Sequence, residues 1–377
     1  MHNPDATRSL PRIAVDMRAL VGTPSGIGFY TQSLLVQLAK LQTARYTGVS
    51  HRPITDPNTL QDTGVNLESH GGPLGVWWQQ LILPDRLHRG DFDLFWSPIT
   101  ILPVRLPIPA VVTIHDLTTL LHPETHRIKV RLSVLPFLGK TITQARRIAV
   151  DSKATADDVR RHYPACTDRL EVVYPGIDPE FRPASGEAIA AFRREIGCDE
   201  GFILYAGTLE PRKNLHALLT AWERLRLDRP ATPPLILTGP YGWRSRDLLH
   251  RIESLQASGL QYLGRVPRHQ LVQLMQAATL FVYPSLYEGF GLPPAEAMAC
   301  GTPVVTSNRS SLPEVVGETG LLVDPEDTEA LASAIQRLLD EPDLAADLGE
   351  QGLHRSTRFT WQRAAEAMES LFVEALS

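Results

Sequence analysis

Short β-type runs alternate with amphipathic helical patterns along this whole chain, and that alternation constrains the fold more than any other feature. Strand-type runs occupy residues 12–17, 110–114, 148–151 and 171–174, then 202–206, 235–238, 261–263, 280–283 and 303–306. Helical patterns lie between them. Leu215, Leu218, Leu219, Trp222 and Leu225, for example, recur at helical spacing with one apolar face. Strands separated by helices pair in parallel and are covered by those helices, so the expected class is α/β. At 377 residues the chain exceeds the size at which one core stops growing, which calls for two domains. Pro and Gly punctuate Tyr174-Pro-Gly-Ile-Asp-Pro179 and Arg182-Pro-Ala-Ser-Gly186, and this reads as the linker. Each half opens with a strand, a Gly-containing turn and a helix, with Gly26 and Gly28 in one and Gly207 in the other. The expectation is two Rossmann-like domains facing across a cleft, residues 1–180 and 181–360, and not a tandem repeat.

Composition narrows the setting. Hydrophobic residues make up 43% and charged residues 21%, as in an ordinary soluble protein. The net charge is −5 with no long block of one sign, which argues against nucleic acid as a partner. The charge is uneven, +2 over residues 1–180 and −7 over the rest, so the first half is the better match for an anionic surface. Cys166, Cys198 and Cys300 are odd in number and far apart, which argues against a disulfide framework or zinc site and for a reducing compartment. Residues 1–11 lack the apolar core of a secretory signal, and no apolar stretch reaches 18 residues. A cytoplasmic protein is expected. The stretch Arg127, Lys129, Arg131, Lys140, Arg146 and Arg147 is interleaved with Ile128, Val130, Leu132, Leu135, Phe137 and Leu138. Such a segment can lie on the anionic inner face of a membrane, and an ordinary surface helix accounts for the same pattern.

The most informative chemistry lies in Glu288-Gly-Phe-Gly-Leu-Pro-Pro-Ala-Glu296. Gly289 and Gly291 leave the backbone bare around Phe290, so its N–H groups can approach a ligand. Pro293 and Pro294 suit the first turn of a helix and Gly301 its end. Glu288 then lies in the loop feeding the helix and Glu296 near its start. A helix N-terminus attracts phosphate, and carboxylates accept hydrogen bonds from hydroxyls. A sugar nucleotide carries both groups. Acidic residues that merely complement a helix dipole are the plainer alternative.

The flanking sequence decides between them. Tyr283-Pro-Ser-Leu-Tyr-Glu-Gly-Phe-Gly-Leu-Pro-Pro-Ala-Glu-Ala-Met-Ala-Cys-Gly-Thr-Pro-Val-Val305 resembles the donor-site signature of the family 4 retaining glycosyltransferases. Ala206-Gly-Thr-Leu-Glu-Pro-Arg-Lys-Asn214, Val112-Thr-Ile-His-Asp-Leu117 and the glycine loop Ser25-Gly-Ile-Gly-Phe-Tyr30 match in the family's order, over residues 12 to about 361. The resemblance implies the GT-B fold, with a last helix at about 361–377 crossing back onto the first domain. Trp361 to Phe372, with Ala364, Ala365, Met368 and Leu371 on one stripe, is that helix.

It also implies roles. Glu296 binds the ribose hydroxyls, Glu288 contacts the transferred sugar, and the backbone of Gly289, Phe290, Gly291 and Leu292 reaches sugar and phosphate. Lys213, before a helix N-terminus, clamps the leaving diphosphate, and Arg212 shares that task or faces solvent. Thr208, Arg265 and Val266 complete the donor side. His115, at a strand end, touches the transferred sugar, while Asp116 orients it or caps the next turn. Gly26 and Gly28 approach donor phosphates or acceptor. Many family members carry Arg where this chain has Thr208, so the clamp leans on Lys213. A subgroup rich in mannosyltransferases shares that departure, which favours GDP-mannose as donor over UDP-glucose or a UDP-N-acetylhexosamine, with a carbohydrate or lipid-linked acceptor.

Asp91-Phe-Asp93 looks like the metal-binding D-x-D of another glycosyltransferase architecture but reads as a turn before an apolar run. No metal and no cofactor are expected. Retention follows from the resemblance, by double displacement on a carboxylate or by front-side attack, and both routes stay open. A non-catalytic sugar-nucleotide-binding subunit is the rival from another class. A nicotinamide oxidoreductase is weaker, since neither glycine loop has the full G-x-G-x-x-G pattern.

Overall fold

The computed structural model describes residues 10–22, 26–72, 75–243 and 245–377. The chain divides into two compact units. One comprises Met1–Leu121, Ile128–Gly176 and Trp361–Ser377, the other His122–Arg127 and Ile177–Thr360.

The first unit holds seven parallel strands: β1 (Arg12–Asp16), β2 (Arg45–Ser50), β3 (Asn66–Ser69), β4 (Leu94–Ser97), β5 (Ala110–Ile114), β6 (Arg147–Val150) and β7 (Leu170–Val172). Their order is β3-β2-β1-β4-β5-β6-β7. β4 and β5 are buried at every position, which is why they read as continuous apolar runs. One face of the sheet packs on Leu34, Leu35 and Leu38 of the helix Gly26–Leu41. The C-terminal helix Trp361–Leu376 joins that same core through Ala364, Ala365, Met368, Leu371 and Phe372. The opposite face is covered by Trp78, Leu138, Ile142 and Val159. At Gly176, where the chain leaves this unit, a Cβ would lie 2.1 Å from the Trp361 backbone nitrogen, so no larger residue is accommodated.

The second unit holds six parallel strands: β8 (Ile203–Ala206), β9 (Leu235–Thr238), β10 (Leu260–Tyr262), β11 (Leu280–Tyr283), β12 (Val304–Ser307) and β13 (Leu321–Val323). Their order is β10-β9-β8-β11-β12-β13. The helix Leu215–Asp228 buries Leu215, Leu218, Leu219, Trp222 and Leu225, the stripe expected from its spacing. Strand order reverses between β8 and β11, and in open α/β sheets ligands bind beyond the carboxyl ends of strands at such a switch point.

Four strands, β2, β3, β4 and β13, are additional to those read from the sequence. β3 (Asn-Leu-Glu-Ser) is an edge strand and mostly exposed, so it has no apolar signature. β2 carries Gly48 in its interior, where a Cβ would meet Met17 Cγ at 2.7 Å. β4 and β13 are only four and three residues long.

Candidate active site

The loop after β8 makes a 3-10 turn at Pro211–Lys213, and Asn214 then takes a left-handed conformation (φ 56°). Asn tolerates this better than most residues, and its Nδ2 donates to the Pro325 carbonyl at 2.7 Å. The reversal turns Lys213 inward just before the helix Leu215–Asp228. Its ammonium donates to Glu288 Oε1 and to the Tyr283 hydroxyl, both at 2.6 Å. Ser285 Oγ also donates to Glu288 Oε1, at 2.6 Å. Arg212 Nη1 lies 3.0 Å from the other oxygen of Glu288, and Arg212 Nη2 2.9 Å from Glu210 Oε1. Arg212 Nη1 further donates to the Tyr287 carbonyl at 2.5 Å. Arg212 is therefore part of this network and does not project into solvent. Tyr205 and Tyr283 stack beneath, ring centroids 5.7 Å apart.

Lys213 and Glu288 are each 7% exposed. Burial disfavours the Glu288 charge, but Arg212 and Lys213 outweigh it and hold the carboxyl at about 2. Burial likewise pulls the Lys213 ammonium below its usual range, against the opposing pull of Glu288.

Serines fix the glycine-rich segment. Glu288 N donates to Ser310 Oγ at 3.2 Å, and Ser311 Oγ donates to the carbonyls of Glu288 and Phe290 at 3.0 and 2.7 Å. The Phe290 ring packs edge-on against Phe359, centroids 5.2 Å apart. Gly291 has φ 101°, and a Cβ there would lie 2.7 Å from Leu312 Cδ2, so glycine is required twice over. It leads into the helix Leu292–Ala299, with prolines in the first turn as expected. Glu296 lies in that helix, 8% exposed. Among the described residues its carboxylate has no hydrogen-bond donor, and burial lifts its pKa to about 7, with Arg268 opposing and Asp178 adding.

Thr208 sits just beyond β8, its carbonyl accepting from the Tyr205 hydroxyl at 3.2 Å. Arg265 and Val266 follow β10 at the same edge of the sheet, after Gly264, whose carbonyl accepts from Gly239 N at 2.8 Å. The structure thus joins Lys213, Arg212 and Glu288 directly, sets Glu296 on the adjoining helix, and leaves Arg265 and Val266 two strands away from β8.

In the first unit, His115 follows β5. Its Nδ1 lies 2.7 Å from Asp151 Oδ2, and its Nε2 2.8 Å from the Pro98 carbonyl. The Tyr30 ring meets it edge-on, centroids 4.8 Å apart. Asp116 does not orient His115: it caps the next turn, accepting from Thr118 N at 2.9 Å and Thr118 Oγ1 at 2.5 Å. Gly26 opens the helix Gly26–Leu41, and at Gly28 a Cβ would lie 2.6 Å from the Ala19 carbonyl oxygen. Ser25 of that glycine loop lies outside the described residues.

The profile of Glycosyl transferases group 1 matches residues 189–355, and that of Glycosyltransferase Family 4 residues 24–181. O-antigen chain mannosyltransferase B of Escherichia coli is 37% identical over 274 residues, 71% of this chain and 71% of that protein. The chain belongs to the family 4 glycosyltransferases. This glycosyltransferase is also 32% identical over 246 residues to D-inositol 3-phosphate glycosyltransferase of Streptomyces avermitilis. That match covers 62% of this chain and only 53% of the relative, about half its length. Among solved structures, Anabaena HepE in complex with UDP and glucose superposes with a TM-score of 0.77 at 21% identity, over 96% of this chain and 99% of that one. The likeness shows the GT-B fold.

Two residues of the glycosyltransferase's polar clusters escaped the sequence reading. Glu210 stands inside the matching block 206–214 with no role assigned to it. Asp151 was taken only as a strand end, yet β5 and β6 run parallel with Ile114 beside Val150, so the residues that follow them, His115 and Asp151, are neighbours. Asp91 and Asp93 lie at the amino end of β4, with Asp93 Oδ2 accepting from Arg12 N at 2.7 Å, a turn contact. Among the described residues no group of three acids, histidines or cysteines is placed to hold a metal.

Proposed function

We propose that this glycosyltransferase moves a mannosyl unit from GDP-mannose to a carbohydrate or lipid-linked acceptor, in polysaccharide or glycolipid assembly. The observation that carries the reading is the meeting of Lys213 and Arg212 on Glu288 at the switch point of the second sheet, beside the glycine-rich start of the helix Leu292–Ala299. In this proposal Glu288 holds both cations in place and contacts the transferred sugar. Lys213, with Arg212, stabilises the diphosphate as it departs. Amides of residues 289–292 add the partial positive charge of a helix start. The desolvated carboxylate of Glu296 takes the ribose hydroxyls, which supply the donors it otherwise lacks. Thr208, Arg265 and Val266 complete the nucleotide side, and His115 contacts the sugar.

Mannose is favoured by the 37% identity to a protein named as a mannosyltransferase, and by Thr208 at a position where the mannosyltransferase-rich subgroup also lacks arginine. A UDP-sugar donor is the second reading, since a protein of the same fold binds UDP and glucose. The donor test is thermal shift with GDP-mannose, UDP-glucose and UDP-N-acetylglucosamine, because a ligand that binds only the folded state raises its melting temperature by mass action. Protection by GDP-mannose alone is the expected result. Protection by UDP sugars without GDP sugars would replace the donor assignment.

A peripheral contact with an anionic membrane belongs to the same proposal. Ile128, Val130 and Leu132 at the start of the helix Ile128–Gln144 are 60%, 40% and 65% exposed. That helix carries Lys129, Arg131 and Lys140 and no acidic residue. Among the described residues no helix is long and apolar enough to cross a membrane.

A further inference from the structure

We infer that Asp151 is a positioning residue that holds His115 as a doubly protonated imidazolium at the carboxyl edge of β5. Both ring nitrogens face acceptors, Nδ1 the Asp151 carboxylate at 2.7 Å and Nε2 the Pro98 carbonyl at 2.8 Å. A neutral imidazole has one N–H and would set a lone pair against one of these oxygens, whereas the imidazolium donates to both. The surroundings agree. From the helix Gly26–Leu41 comes the edge-on Tyr30 ring. From the helix Lys153–His162 comes Thr155, whose hydroxyl donates to the His115 carbonyl at 3.4 Å. Asp116, in the loop of His115 itself, is engaged with Thr118. Burial disfavours the charged ring, but Asp151 and the Pro98 carbonyl outweigh it, so the pKa of His115 is raised.

The chemical consequence is specific. With both N–H groups occupied, neither nitrogen is available to take a proton from an acceptor hydroxyl. His115 supplies a fixed positive charge and not a general base. That function rests on the proposal that His115 contacts the transferred sugar, whereas the hold of Asp151 on His115 does not.

The test uses the full chain with ¹³C-labelled histidine and no ligand, titrated by NMR, with His115 assigned through His115→Gln. In the wild type His115 should titrate above the ordinary histidine value of about 6.5. In Asp151→Asn it should titrate below it, since burial stays while the counter-charge goes. Steady-state kinetics then separates the two claims. The Asp151→Asn kcat should fall with rising pH at a lower pH than the wild-type kcat does. Above both titrations the variant should be slower by about tenfold for each unit by which the His115 pKa has dropped. Asp151→Glu, which keeps the charge, should restore the wild-type profile, an outcome that a merely structural aspartate does not predict. An unchanged His115 titration in Asp151→Asn would overturn the inference, and so would a wild-type His115 titrating below its ordinary value should that variant not fold. A lowered pKa with unchanged kcat would uphold the hold of Asp151 and remove His115 from the reaction.

Discussion

Lys213 Nζ and Glu288 Oε1 are 2.6 Å apart and both side chains are nine-tenths buried, although 75 residues separate them in sequence. Arg212 reaches the other oxygen of the same carboxylate, so the four charges of Glu210, Arg212, Glu288 and Lys213 cancel in the absence of donor. In the proposed donor site a diphosphate would add negative charge to this balanced set, and the value of Lys213 would rise further as the glycosidic bond breaks.

Lys213→Ala should therefore lower kcat by about 10²–10³, the size seen when one oxyanion-type donor is removed, with a smaller change in donor Kd. Because Lys213 is a buried ion-pair partner and not a residue lining open space, the variant should also be less stable. Breaking a buried pair costs ~3–5 kcal/mol, and the remaining Arg212 contact should keep the loss toward or below the low end of that range. Single-turnover rates on protein shown folded by circular dichroism check the first claim, and urea unfolding the second. A folded variant turning over at the wild-type rate would place the diphosphate elsewhere.

Glu296 gives a prediction of opposite sign for stability. Its carboxyl is raised from 4.5 to about 7 by burial, Arg268 opposing and Asp178 adding. Between those values the folded state binds the proton more tightly than the unfolded state, so stability falls as pH rises through that window. By pH 8 the cost approaches about 3 kcal/mol. Glu296→Gln removes the charge and should match the wild type near pH 4 but exceed it at pH 8, as read by urea unfolding at both. The same change should weaken donor binding by roughly ten- to a hundredfold, the loss of one charge-assisted hydrogen-bond partner. Calorimetry with the protecting donor measures it. A wild-type Kd would take Glu296 out of the nucleotide site.

Glu288 and Glu296 were legible in the sequence because their context is local: two glycines, two prolines and a helix start within nine residues. Lys213 was legible for the same reason. What the sequence left open was pairing at a distance. That Lys213 and Arg212 both close on Glu288 depends on β8 and β11 being neighbours, and that Asp151 holds His115 depends on the register of β5 with β6. A strand order is not written in either strand. The buried strands β1, β5, β8, β9 and β11 announced themselves as apolar runs, whereas β3, polar and at the sheet edge, had nothing to announce.

Activity should survive EDTA. The charge of the departing diphosphate is assigned to Lys213, Arg212 and a helix start, and Asp91 and Asp93 point to no such role, placed at the amino end of β4 against Arg12. Turnover measured before and after chelation, then with added Mn²⁺ or Mg²⁺, decides it. Abolition by EDTA with recovery on metal addition would overturn this assignment.

The exposed start of the helix Ile128–Gln144 yields the last prediction. Apolar side chains at Ile128 and Leu132 lie four residues apart, hence on one helical face, and both are mostly in solvent. With Lys129 and Arg131 within the helix, the surface offers apolar burial together with cationic attraction to anionic headgroups. Each fully buried aliphatic side chain is worth about 1.5–3 kcal/mol. Ile128→Ser combined with Leu132→Ser should thus weaken binding to phosphatidylglycerol vesicles by more than about tenfold, since only part of each side chain is gained by the membrane. Co-sedimentation should show wild-type binding that falls with added salt and is absent on phosphatidylcholine alone. Transfer to a soluble acceptor by the double variant should be unchanged, because neither residue belongs to the donor machinery. Equal partition of wild type and variant, or none to either vesicle, would return this helix to an ordinary solvated surface.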